Sequence, residues 1–453
     1  MRINLFLAAL LFCRPDGAFG FCGFYVAKAD SSLYNKASQV VIARNGDRTA
    51  LTMANDYKGD PKEFALVVPV PVVLHKNDVK VVDPELISHL DAYSAPRLVE
   101  YFDADPCIPT PRYKMFGVAA VRGGSEVSRS SKQTAKALGV TIEEKFTAGE
   151  YDILILSAQE SAGLETWLTQ EGYRLPKNAS TALGPYIKLK LKFFVAKVNL
   201  KEKEKSGFAK LRPLQFAFKD PHFMLPLRLG MLNADGPQDL MVYAITKVGR
   251  VESTNYRTVD VPTDREIPTY VRGEFARVYP ALFERAWNRQ DRRSVLTEYT
   301  WDLNWCDPCA AEPPTREELE KLGVNWFADE AGGASAPSFM PRGRTWGGGP
   351  LQARITRMHV RYEPATWPED LVFQETTDRR NFQARYILRH RWQGKPSCQE
   401  AKEYLSKKLP ERESKAVAEL SALTGWDQDI IRSDWKKARA SGKDESSRPK
   451  EFQ

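Results

Sequence analysis

The chain has 453 residues, 42% hydrophobic and 27% charged, with 28 glycines and 29 prolines, which excludes a fibrous or disordered protein and suggests two or three globular domains. Lys and Arg total 66 against 58 Asp and Glu, a formal charge of +8. So mild an excess favours anionic surfaces weakly and does not indicate nucleic acid as a partner.

Residues 1–20 read as an export signal. Arg2 supplies the positive start, and an apolar run from Ile3 to Phe12 follows, broken only by Asn4. Ala18-Phe19-Gly20 places small residues at a cleavage site after Gly20. The run is about half the roughly 20 residues needed to span a bilayer, and Arg14-Pro15-Asp16 would end a helix there. Removing Arg2, Arg14 and Asp16 with the signal leaves a mature charge of about +7. No later stretch is long and apolar enough for a membrane helix, so the expectation is an exported protein, periplasmic or extracellular, without a transmembrane anchor.

Residues 38–73 read as a three-strand meander. Gln39–Arg44 is rich in β-branched residues, Asn45-Gly46-Asp47 is a tight-turn signal, and Thr49–Tyr57 returns. The third run, FALVVPVPVV at 64–73, carries Pro69 and Pro71, whose missing donors suit an edge strand or a strand leaving the sheet. Pro84–Tyr93 has helical spacing behind Asp83 as N-cap, and Pro96–Phe102 reads as a short helical turn. Cys107 lies in a proline-rich loop, 103–111. Tyr113–Val121 is a strand and 123–132 a polar loop. Residues 140–157 form a hairpin and 160–171 a helix ending at Gly172. Lys188–Asn199 reads as one long strand, KEKEKSG at 201–207 as a solvated loop, and 211–218, 223–229 and 240–247 as short strands.

From Gly273 the pattern changes. Phe275–Gln290 is an amphipathic helix and Val295–Trp301 a strand. Thr315 and Glu318 stand at capping-box spacing before a short helix. Residues 331–350 read as a glycine-rich loop, 351–363 and 381–392 as long strands, and 397–440 as mostly polar helices. The resulting fold class is α+β, mainly antiparallel β in sandwich-like sheets with peripheral helices. The segments are 21–121, a meander plus helix; 133–270, a central antiparallel domain; 271–440, a mixed region; and 441–453, a disordered tail.

Several stretches together resemble a bacterial family of exported proteins whose domain has no assigned function. They are CGFYV at 22–26, FALVVPVP at 64–71, Trp167-Leu168 with Gly172-Tyr173 and Pro176, PLRL at 226–229, and WCDPC at 305–309. The resemblance covers most of residues 22–400. It implies an exported, β-rich protein and no particular activity. Some relatives carry a C-terminal membrane helix, which this sequence lacks.

Five cysteines follow Gly20: Cys22, Cys107, Cys306, Cys309 and Cys398. In an oxidising compartment they are disulfide candidates, and an odd number leaves at least one unpaired or pairing between chains. Cys22 with Cys107 is one possible staple; Cys398 pairs with Cys309 or stays free. WCDPC is similar to the WCGPC of thioredoxin-like enzymes, which makes Cys306 and Cys309 a candidate redox pair. That chemistry needs a lowered pKa on the first thiol. Here Pro313 and Pro314 cut the following helix to one turn, and Asp307 sets a negative charge beside Cys306. A structural clamp is therefore favoured over catalysis. A closed zinc site would need Cys306 and Cys309 joined by Cys398 and His359 or His390, but there is no second close pair. No HExxH, GxSxG or phosphate-loop pattern appears, so neither metal nor cofactor is expected, and the reading leans away from an enzyme.

Strand alternation raises one further candidate. Arg357, His359 and Arg361 share one face of 351–363, and Arg385, Arg389 and Arg391 one face of 381–392. Were these strands neighbours with their apolar faces inward, six basic groups would line an exposed surface suited to an anionic envelope polymer. The alternative is a solvated face offset by Glu369, Asp370, Glu375 and Asp378. Another exported protein is the other conceivable partner.

Overall fold

The computed structural model describes residues 24–27, 34–58, 64–108, 140–171, 178–206, 211–233, 236–305, 307, 312–327 and 351–442. The signal segment, the expected strand at 113–121, Cys22, Cys306, Cys309, the glycine-rich loop and the tail from 443 lie outside them. From the N-terminus run β1 (Phe24–Ala27), β2 (Tyr34–Asn45), β3 (Arg48–Lys58), β4 (Phe64–Val70), β5 (Val79–Val81), α1 (Pro84–Ser94) and β6 (Arg97–Phe102). Next come β7 (Val140–Ala148), β8 (Tyr151–Ala158), α2 (Ser161–Gln170), α3 (Ala179–Lys188), β9 (Lys192–Val198), α4 (Leu200–Ser206), β10 (Leu214–Lys219), β11 (Met224–Leu225) and β12 (Gln238–Thr246). β13 (Val251–Ser253), β14 (Arg257–Asp260), β15 (Arg265–Ile267), α5 (Phe275–Asn288), β16 (Ser294–Asp302) and α6 (Arg316–Lys321) follow. The rest is β17 (Arg354–Tyr362), β18 (Leu371–Glu375), β19 (Phe382–Gln383), β20 (Arg385–His390), α7 (Gln399–Glu403), α8 (Leu409–Thr424) and α9 (Gln428–Ala440).

The fold is α+β. A nine-stranded sheet runs β14-β16-β17-β12-β2-β3-β10-β5, with β19 beside β16. It takes strands from all three segments that the sequence separates, because β12 pairs with β2 on one side and β17 on the other. A five-stranded sheet runs β1-β4-β9-β8-β7. The two sheets share one core: Val40, Ile42, Val242, Met358 and Val360 from the first meet Leu66, Val68, Ile153 and Phe194 from the second. Leu164, Leu168, Leu183 and Tyr186 of α2 and α3 cover the outer face of the smaller sheet. The outer face of the larger one is covered by Ile87, Leu90 and Tyr93 of α1 and by Leu319, Leu322, Trp326 and Phe327.

Local signals account for several elements. Gly46 takes φ +61° in the β2–β3 turn, a conformation open to glycine at little cost. The capping box at Thr315 and Glu318 forms in full. Gly323, at φ +103°, brings its backbone against β3, where an added Cβ would come within 2.2 Å of the Ala50 Cβ.

Long-range pairing changes other expectations. β4 leaves the meander for the second sheet and lies between β1 and β9; Pro69 is tolerated there because β1 pairs only with residues 64–67. Residues 97–102 are a strand, not a helical turn: β6 is held by parallel pairing with β20 nearly 290 residues later. The expected strand at 188–199 begins only at Lys192, after α3 ends. KEKEKS is helix α4 rather than a loop, closed by a Glu202–Lys205 pair one turn apart.

A three-stranded sheet, β15-β20-β6, is parallel throughout. Tyr386 and Leu388 of β20 pack against Val278 and Leu282 of α5, Leu420 of α8 and Ile431 and Trp435 of α9.

Candidate functional site

The helix-covered face of the nine-stranded sheet contains a buried charge cluster. β17 supplies Arg357, His359 and Arg361 on this face, as alternation requires, while Met358, Val360 and Tyr362 enter the sandwich core. Its neighbours supply the carboxylates. Asp239 of β12 stands opposite Arg361 in register. Glu298 sits where the β16 register slips between Thr297 and Tyr299; this bulge turns both the Glu298 carboxylate and the Tyr299 ring toward the helices.

Glu298 is wholly buried. Its Oε2 accepts from Arg357 Nε at 2.7 Å, and its Oε1 lies 2.9 Å from His359 Nδ1 and accepts from Tyr279 Oη of α5. Asp239 accepts both Arg361 Nε and Nη2 at 2.7 and 2.6 Å. His359 Nε2 lies 3.2 Å from Asp239 Oδ1 but off the hydrogen-bonding direction, so that contact is ionic only. The Phe283 ring stacks on His359 at 3.6 Å. Arg357 Nη1 also donates to Asp91 Oδ1 of α1 at 2.7 Å.

Burial by itself would push the His359 imidazolium down, and it is the largest single influence; Glu298 and Asp239 together outweigh it and raise the pKa. Burial likewise pushes Glu298 up, but Arg357 and His359 draw it down to about 2. The sign follows from linkage. The His359 contribution to stability is complete below its unfolded pKa of about 6.5 and fades as the pH rises through the higher folded value. The Glu298 contribution is present above about 4.5 and is lost as the pH falls toward 2. Thermal unfolding from pH 5 to 9 should therefore show wild-type stability declining on the alkaline side and His359→Gln with a flatter profile. Equal slopes in the two proteins would rule this out.

The exposed basic face expected from sequence is not formed. β17 and β20 belong to different sheets, and Arg357, His359 and Arg361 lie under α1 and α5 with carboxylates from adjacent strands. Nor do Glu369, Asp370, Glu375 and Asp378 offset them: Asp370 accepts from Tyr186 Oη and Leu227 N, Glu375 from Val248 N and Gly249 N, and Asp378 pairs with Arg380. The carboxylates that matter, Glu298 and Asp239, were visible only as acidic residues inside otherwise apolar strands.

Among the cysteines, Cys107 is bonded to Cys398. This excludes both the Cys22–Cys107 and the Cys309–Cys398 pairing and removes Cys398 from any zinc set. The cause is topological: β6 and β20 run parallel, so the loops that leave their ends meet. Cys306 and Cys309 lie outside the described residues, but Asp307 between them is buried, and its Oδ2 accepts from Tyr299 Oη at 3.0 Å and Gln383 Nε2 at 2.8 Å. Each of the five histidines faces a carboxylate: Glu144, Glu318, Asp220, Glu298 with Asp239, and Glu100.

The second half of the expected basic set has a different surrounding. Arg389 and Arg391, at the end of β20, line a pocket with Glu266 of β15, Arg412 of α8 and Arg439 of α9. Arg385, near the start of the same strand, is not part of the lining and pairs with Asp264. Ile267, Ala416 and Trp435 form its buried apolar base. This is the candidate binding site: a cleft whose walls carry four guanidinium groups and the carboxylates of Glu266 and Glu413, the latter paired with Arg439.

A family model described as an uncharacterized protein conserved in bacteria matches residues 17–374. Comparison with curated proteins finds no match, and neither does comparison with solved structures.

Proposed function

The chain belongs to this bacterial family, DUF2330, and from that premise we propose that it is an exported, non-enzymatic binding module of the envelope or extracellular space, stabilised by disulfides. The Cys107–Cys398 bond carries this reading. It joins residues 291 apart in sequence, and such a staple persists in an oxidising compartment and not in the cytosol. Two further observations support it. The buried cluster around Glu298 is closed by mutual ion pairing and by helix, an arrangement suited to holding strands rather than to turning over a substrate. The anchoring of Asp307 by Tyr299 and Gln383 suits a Cys306–Cys309 clamp that stays in one place. Among the described residues no helix is long and apolar enough to cross a membrane.

Two measurements test the reading. Expressed in a bacterium, the chain should be recovered outside the cytoplasmic membrane with its N-terminus at Phe21; retention of an unprocessed chain in the cytosol would overturn export. Redox titration should place the Cys306/Cys309 couple below about −300 mV, as for structural disulfides. A markedly higher potential, with Cys309→Ser trapping a mixed disulfide on Cys306, would instead establish a thiol–disulfide oxidoreductase.

A further inference from the structure

Deepening the binding-module reading, on which it rests, we propose that the pocket between β15, β20, α8 and α9 binds an oxyanion group, phosphate or carboxylate, through Arg389, Arg391 and Arg412. The pairing pattern inside the pocket supports this. Glu266 engages the inner nitrogens of two arginines, accepting from Arg389 Nε at 3.2 Å and lying 3.2 Å from Arg412 Nε. Arg412 Nη1 donates to Asp103 Oδ2 at 2.6 Å. Arg389 Nη1 stands 4.0 Å from Asp103 Oδ1, beyond hydrogen-bonding reach. Among the described residues, the terminal nitrogens of Arg389 and Nη2 of Arg412 thus keep N–H donors without an acceptor. Arg391 is exposed and makes no ion pair or hydrogen bond among the described residues.

Glu266 therefore has a positioning role. It fixes two guanidinium planes through their Nε atoms and leaves available the outer edge of Arg389, the edge through which arginine donates two parallel N–H groups to an oxyanion, together with Nη2 of Arg412. The apolar base of Ile267, Ala416 and Trp435 keeps water from one side and strengthens these contacts. The rim is also held. Arg391 begins the segment 391–397, which is tied at one end by β20 and at the other by the Cys107–Cys398 bond.

Most of the pocket lies outside the family match. Only Glu266, Ile267 and Thr269 of its lining fall within residues 17–374. The site therefore lies mostly in the C-terminal segment beyond the family match.

The test is isothermal titration of the full mature chain, at low salt, with inorganic phosphate, pyrophosphate and citrate as separate probes. Saturable binding at one site per chain is expected for the phosphate or the carboxylate probes, and the arm that binds identifies the group. Arg391→Ala strands no partner among the described residues, so it should melt like wild type while weakening binding about ten-fold or more, the worth of a charge-assisted hydrogen bond. Arg389→Lys keeps the charge and loses the planar fork, and should also weaken binding. No saturable heat with any probe, or binding that Arg391→Ala leaves unchanged, would overturn the proposal. The redox titration of Cys306 and Cys309 is independent of this outcome, so failure of the pocket is distinguishable from failure of the non-enzymatic reading.

Discussion

Glu298→Ala is expected to lower the stability of the protein by about 3–5 kcal/mol, the cost of removing one partner from a buried ion pair. The carboxylate is wholly buried, and Arg357 and His359 beside it are about a tenth exposed. Its loss leaves the Arg357 guanidinium with Asp91 at one edge and no acceptor at Nε, and leaves His359 with only the off-axis contact to Asp239. Tyr279 Oη loses its acceptor too. Neutralising the group as Glu298→Leu, Arg357→Met and His359→Leu together should cost much less than the single change, because no wholly buried charge is then stranded: Asp239 keeps Arg361, and Asp91 is over a third exposed. Urea unfolding followed by circular dichroism measures both. A loss under about 1 kcal/mol for Glu298→Ala would mean that water reaches the cluster, contrary to the packing of α1 and α5 over it.

Removing the Cys107–Cys398 bond, as the double alanine variant, is the second large effect, about 2–5 kcal/mol. The bond closes a loop of 291 residues, and long loops lose most entropy on closure. Unfolding should also change character. β6 and β20 pair through only six residues each, so the three-stranded sheet with α8 and α9 should open before the sandwich does. Hydrogen exchange resolves this: amides of 385–390 should lose protection in the variant, while those of β2 and β12 keep it. Uniform loss of protection would show that the C-terminal unit and the sandwich unfold as one.

Legibility in the sequence followed the range of the interactions. The β2–β3 turn at Asn45-Gly46, the capping box at Thr315 and Glu318, α5 and the alternation along β17 each depend on residues within a few positions, and all are present. The segments read otherwise depend on distant partners. Residues 97–102 become a strand through β20, β4 joins a second sheet through β1 and β9, and Cys107 meets Cys398 because two parallel strands end together. Alternation placed Arg357, His359 and Arg361 on one face correctly. It could not show that α1 and α5 cover that face, or that strands on either side bring Glu298 and Asp239 to it.

By itself, then, the sequence determined the α+β character, the local turns and caps, and which side chains share a face. Those follow from backbone preference and from the periods of two and 3.6 residues. Only the tertiary structure decided which basic residues stay in contact with solvent. Charge is not diagnostic of exposure when a neighbouring strand supplies the counter-charge. Arg357 is thereby buried and Arg361 largely covered, both as structural ions, while Arg389 and Arg391, read from the same pattern, line the pocket at the C-terminal sheet.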